Sequence, residues 1–437
     1  MRWLILFLLG LLPPISTAQE LVEFENGAVA DAEDINTNFE ALRSRIDQTN
    51  GIFGLSCPEG TFVTGISLSK DLTCSRDTGS ASLDLAYASS YGAVDLSAAG
   101  DALAISHFSD GSVQNAVMVF DRQSASEWSQ RGETLYIDVY GSEARISGVG
   151  NTVAVGDAMA ASARGKAFVW HWQDNEWSQR GSSFVGGTSS DRMRGPALNY
   201  AGDVFAIDEF QYASAREGRV RTFIWDGSEW RVDFSEVGGL GERIQYPTLN
   251  STGDIVAYGS SLTTGSDSTA DGFVKVFQKV NSDWIQKGDD ISFSTSNREF
   301  RPVLNSAGDK LLLATSDASG DRVCHAYVAE WSSSDASWSV SDPIEFGSFS
   351  PGNIISCRGK LSGDGTTIIL GNPEASSGGY SNAGSVYVLR RSGSQWVNIL
   401  EYSGSVENER LGSRIAISED GNTIAYSRLG TVEIVSH

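Results

Sequence analysis

A glycine turn that recurs seven times at a near-constant interval constrains this chain more than any other feature. It stands as Ala99-Gly100-Asp101, Val149-Gly150-Asn151, Ala201-Gly202-Asp203, Thr252-Gly253-Asp254, Ala307-Gly308-Asp309, Asp364-Gly365-Thr366 and Asp420-Gly421-Asn422. Successive glycines lie 50, 52, 51, 55, 57 and 56 residues apart. A period of that size marks a repeat architecture built from one supersecondary unit. After each turn comes a short apolar strand, such as Thr152-Val-Ala-Val155 or Ile255-Val-Ala-Tyr258, which reads as a tight hairpin with glycine at its tip. A third strand alternates, as in Ala167-Phe-Val-Trp170 and Val274-Lys-Val-Phe277, the pattern of a sheet packed against its neighbour.

A second marker keeps the same phase. Trp128, Trp177, Trp230, Trp284, Trp338 and Trp396 follow their glycines by 27 to 31 residues, each at a fourth strand. Four short strands per unit, repeated radially, make the blade of a propeller. The seventh unit ends after three strands, at His437, and Ser82-Leu-Asp-Leu-Ala-Tyr87 stands just ahead of the first. That segment is expected to pair beside residues 431–435 and close the ring. The fold class is therefore all-β, a seven-bladed β-propeller of four-stranded blades, preceded by a short helix and a small disulfide hairpin.

The unit Asp-Gly-Asn-Thr-Ile-Ala, followed by Gly-x-Val-x-Val and Trp-x-Gln-Arg-Gly (Trp177 to Gly181, with Trp128 to Gly132 and Trp284-Ile-Gln-Lys-Gly288 alike), resembles bacterial FG-GAP-like repeats, which are similar to those of the integrin alpha propeller. The resemblance covers residues 82–437 and specifies fold more than function. It departs from the calcium-binding pattern, because the first hairpins here are Gly-Asp or Asp-Gly turns too short to supply the six to eight oxygens calcium takes.

The remainder divides into three segments. Arg2, the apolar run from Leu4 to Leu12 and the small residues Ser16-Thr17-Ala18 read as a signal peptide over 1–18. The run is too short for the roughly twenty residues of a membrane span. Over 19–50, Ala28, Ala32, Ile35, Phe39, Leu42 and Ile46 form an a/d seam, for one amphipathic helix packed on its own domain or for self-association through 28–49. The stretch from Phe24 to Phe39 resembles a leader segment of secreted bacterial proteins. Cys57-Pro-Glu-Gly-Thr-Phe-Val-Thr-Gly65, ending at Leu72-Thr-Cys74, resembles the cysteine-bounded hairpin that accompanies it, within 51–81. Together these resemblances imply a periplasmic, cell-surface or extracellular setting.

Four cysteines allow three connectivities. Proximity favours Cys57 with Cys74, leaving Cys324 and Cys357 to pair by default or to stay as buried thiols. The net charge of -23 repels phosphate backbones and anionic lipid headgroups, which argues against nucleic acid and membrane insertion.

No local catalytic motif stands out, and the four histidines share no metal-ligand spacing. Asp267-x-Thr269-x-Asp271-Gly272 matches the start of a calcium loop, yet Lys275 and Gln278 occupy its ninth and twelfth positions. No cofactor is expected, with calcium at that loop as the alternative. The tryptophans read as inter-blade packing rather than sugar platforms. Arg192, Arg243 and Arg298 each stand four residues before Pro-x-Leu-Asn-x-x-Gly-Asp in three successive repeats, at the connection entering a first strand. Their forks either receive a carboxylate-bearing ligand or pair with Asp191, Glu242, Glu299 or the next blade's carboxylates. The expected function is an exported, non-enzymatic binding or adhesion propeller for an acidic glycan or peptide. The competing readings are a glycan-active hydrolytic propeller and an oligomeric surface protein.

Overall fold

The computed structural model describes residues 61–66, 72–76, 79–84 and 90–437, apart from 109–114, 138–141, 189–190, 213–216, 263–271, 293–299, 317–322 and 349–356. The chain divides into two compact units, at Asp77 and Thr78. In the first, Thr61–Ile66 pairs antiparallel with Leu72–Arg76, with a bulge between Val63 and Gly65. The predicted helix over 28–49 and the partner expected for Cys74, Cys57, lie outside the described residues.

The second unit is a seven-bladed propeller. Six sheets follow chain order within residues 90–137, 142–185, 193–237, 242–292, 301–348 and 358–403. The seventh runs Gly79–Asp84, Thr431–Ser436, Thr423–Arg428, Ile415–Ile417. The missing strand is thus supplied from the far end of the propeller, three residues upstream of the expected segment, with Ser82 opposite Glu433.

One rule builds every first hairpin. A serine or asparagine stands three residues before each turn glycine: Ser97, Ser147, Asn199, Asn250, Asn305, Ser362 and Ser418. Its side-chain oxygen accepts the N–H five residues on at 2.9 to 3.1 Å, so the turn carries its own template. The glycines hold φ between +68° and +80°, and a Cβ on Gly202 or Gly421 would press within 2.6 Å of the preceding blade's Thr152 or Thr367.

The second marker joins blades. The Trp177, Trp230 and Trp338 indoles donate to the carbonyls of Arg131, Arg180 and Lys287 in the preceding blade at 3.0, 2.8 and 2.8 Å. Arg180 and Lys287 reach forward to the turn carbonyls of Gly202 and Gly308 at 3.1 and 2.9 Å. Arg131 does the same to Gly150. The motif glycine that follows leaves room for the rings, since a Cβ at Gly181 would meet Trp230 at 2.9 Å. These tryptophans are inter-blade ties.

Cys324, in the third strand of the fifth blade, is bonded to Cys357 at the entry to the sixth, across a separation of 33 residues. In the chain-entropy account a loop of that length is worth about 3–4 kcal/mol. Cys324→Ser/Cys357→Ser is therefore expected to lose that amount in urea unfolding, and the wild type is expected to match it once reduced. An unchanged midpoint would show that the bridge constrains nothing.

Candidate functional site

The first strands of all seven blades wall a central channel. Where they begin lies a cavity of about 220 Å³. Its charged lining comes from two positions of the repeat. Arg301, Arg358, Arg414 and Glu143 stand seven residues before the turn glycine, and Arg145, Lys360 and Asp95 stand five before it. Alternate residues of one strand share a face, so both positions project alike. Among the described residues, five cations against two carboxylates leave an excess of three positive charges, inside a molecule of net charge -23.

The two carboxylates are engaged. Lys360 Nζ lies 3.3 Å from Asp95, and Arg145 lies 3.6 Å from Glu143. Burial would raise the Glu143 pKa, but Arg145, Arg301, Arg194 and Arg414 hold it below its ordinary value. Burial lowers the Lys360 pKa, with Arg145 adding to the shift and Asp95 opposing it. Arg414 donates to the carbonyls of Gly92 at 2.7 Å and Ser413 at 2.8 Å. Among the described residues, Arg358 Nε is buried without a hydrogen-bond partner.

Tyr246 anchors one side. It adopts a φ of +55° in the bulge between Gln245 and Thr248, an unusual state for an aromatic residue before proline. Its N–H donates to Asp208 Oδ2 at 3.4 Å, which helps hold that backbone. Arg301 donates to the Tyr246 hydroxyl at 2.8 Å and lies 4.0 Å from its ring centroid, while Arg194 lies 5.2 Å from the same ring.

Behind this corner Asp208 is fully buried, 3.7 Å from Arg194 Nε. Burial pushes its pKa up to about 8, with Glu143 adding to the rise, and Arg194 recovers only part. The unfolded chain releases this proton near a pKa of about 3.9. Between those values the folded state binds the extra proton, so stability falls as pH rises through the window. Relative to wild type, Asp208→Asn is expected to gain on the order of a few kcal/mol between pH 5 and pH 8. Urea unfolding at both pH values checks this, and a constant difference would refute it.

The arginines singled out from the sequence sit further out. Arg192 is exposed, with a φ of +51°, immediately before the first strand of the third blade. Arg243 is half-buried, 5.1 Å from the Phe210 ring centroid, and Arg194 lies 4.1 Å from that ring. Arg298 and the 267–271 segment lie outside the described residues. Among the described residues no group of three or more His, Cys, Asp or Glu is arranged to hold a metal ion. The channel cations escaped sequence reasoning, although a fixed offset from the turn glycine would have found them.

Beyond the charged positions the lining turns apolar at the next residue of the repeat. Leu198 and Leu249, four residues before their glycines, line both this cavity and a second one of about 160 Å³ toward the hairpins, where Leu96, Leu304, Leu361 and Ile417 occupy the same phase.

Neither a protein-family model nor a curated protein sequence matches the chain. Solved structures do. A chain in the crystal structure of the mitotic checkpoint complex is 13% identical at a TM-score of 0.52, covering 88% of this chain and 98% of that one. The hydrazine synthase of Kuenenia stuttgartiensis is 12% identical at a TM-score of 0.53, covering 81% of this chain and 97% of that one. At such identity the likeness is one of fold.

Proposed function

We propose that the chain is an exported, non-enzymatic binding propeller that receives an acidic glycan or peptide on the face where its first strands begin. The observation that carries this reading is the cationic cavity, with three excess positive charges in a strongly acidic molecule. Such a site attracts anions locally while the remaining surface repels them. Arg192, Arg243 and Arg298, which precede first strands in three successive repeats, are proposed to assist by guiding the ligand inward.

Binding is favoured over hydrolysis by where the protons reside. Asp208, whose pKa burial pushes up to about 8, is fully buried and absent from the cavity lining, and Glu143 is held by arginines. General acid catalysis needs the acid within reach of the leaving group. Export is supported by the 1–18 segment and by the Cys324–Cys357 bond, which suits an oxidising compartment. Among the described residues no helix is long and apolar enough to cross a membrane. The FG-GAP-like repeat resemblance agrees with a surface binding role.

The test is a panel of acidic and neutral peptides and glycans, titrated against the mature chain at low and moderate salt. Acidic members should bind, and weaken as salt screens the cavity. Equal binding of neutral members would overturn the reading.

A further inference from the structure

The cavity has a size, a depth and a charge arrangement that together specify how an acidic chain enters. At about 220 Å³ it falls below the roughly 300 Å³ at which sites for drug-sized ligands begin. First strands wall it around its circumference, and Leu198 and Leu249 separate it from the second, smaller cavity beyond. A polymer lying across the face would keep its charges outside. Only an end can reach inside.

The cations stand in two tiers. Arg301, Arg358 and Arg414 form one, and Arg145 and Lys360, two residues further along their strands, form the other. Two residues of extended chain span about 7 Å. The tiers therefore suit two oxyanions on a single compact unit, the second sharing Arg145 and Lys360 with Glu143 and Asp95. Among the described residues Arg358 has a buried Nε without a partner in the outer tier, and their excess of three positive charges calls for more than one negative group.

We propose that the channel is an end-binding site for an acidic peptide, taking a C-terminal Glu or Asp whose side-chain and terminal carboxylates engage the two tiers. This rests on the reading of the face as an anion receptor and narrows it. A peptide is favoured over a glycan because its last residue alone supplies both carboxylates, whereas a uronic acid unit carries one on a bulkier ring. The guanidinium forks grip each carboxylate at two points, and water is displaced from a cavity too narrow for the chain's interior.

The decisive experiment uses the wild-type chain and three synthetic peptides of one acidic sequence. The first ends in Glu with a free carboxylate, the second is its C-terminal amide, and the third ends in Gln with a free carboxylate. Calorimetry is expected to give about tenfold or greater weakening for the amide and again for the Gln form. Arg358→Gln/Lys360→Met, monitored by circular dichroism, should bring the three affinities together. Equal affinity of the free acid and the amide in the wild type would overturn end recognition while leaving the anion receptor standing. Preference for an oligouronate over the free-acid peptide would do the same. Failure of every acidic peptide and glycan to bind would overturn the receptor itself.

Discussion

A chain lacking residues 79–84 will melt about 10 °C or more below the intact protein. This strand forms six residue pairs with Thr431–Ser436. It buries Ala81 and packs Leu83 against the cluster of Val94, Leu96, Leu103 and Val432. Net backbone hydrogen bonds at roughly 0.5–1.5 kcal/mol each, together with the apolar burial, sum to about 5 kcal/mol. For a large domain that amounts to about 10 °C in melting temperature. The deletion also bares the edge that carries Val432 and Ile434, a template for pairing between molecules. Differential scanning calorimetry and light scattering are the measurements. A melting temperature within about 2 °C of wild type would mean that the seventh blade stands on three strands, and closure would lose its energetic meaning.

The second large effect is expected at Arg358. Replacing it by Glu inverts a charge in a cavity where cations exceed carboxylates by three. At an effective dielectric constant of about 20, two unit charges a few ångströms apart interact by several kcal/mol. Affinity for an acidic ligand should therefore fall about a hundredfold or more. Stability moves the other way. The new carboxylate relieves repulsion among Arg301, Arg414, Arg145 and Lys360, so the variant should melt at or above the wild-type temperature. Arg192→Ala, at an exposed residue outside the cavity lining, should change affinity only severalfold. If Arg358→Glu binds acidic ligands as tightly as wild type, the cavity is not where they are held.

What could be read from the sequence follows from what the blades share. The turn glycines, the serine or asparagine three residues earlier and the tryptophan ties recur because each blade solves the same local problem. Phase alone therefore located the blades, and strand counting located the closure, displaced by three residues because Gly79-Ser80-Ala81 carries little apolar signal. The disulfide was legible only as one of several outcomes, since spacing does not fix connectivity.

The cavity was hidden for the opposite reason. Seven residues before the glycine stand Ala93, Glu143, Gly195, Tyr246, Arg301, Arg358 and Arg414, so a cation recurs there in only three of the seven blades. Function resides where the repeats differ, and a search for what they have in common passes over it. Arg192, Arg243 and Arg298 drew attention because they repeat, and the two that are described lie outside the cavity lining, one beside Phe210.

The pairing of Ser82 with Glu433 spans a sequence separation of 351, and Ser82 Oγ donates to Glu433 Oε1 at 3.0 Å. During synthesis the strand that finishes the ring therefore emerges early and waits for its partner, while blade after blade can form from neighbouring sequence. Closing so long a loop is entropically slow compared with building any one hairpin. The open ring, one edge bare on each side, is thus an obligatory species in the life of every molecule. Its lifetime, more than the strength of the finished fold, governs how readily two nascent chains complete each other's seventh blade and emerge as a domain-swapped pair.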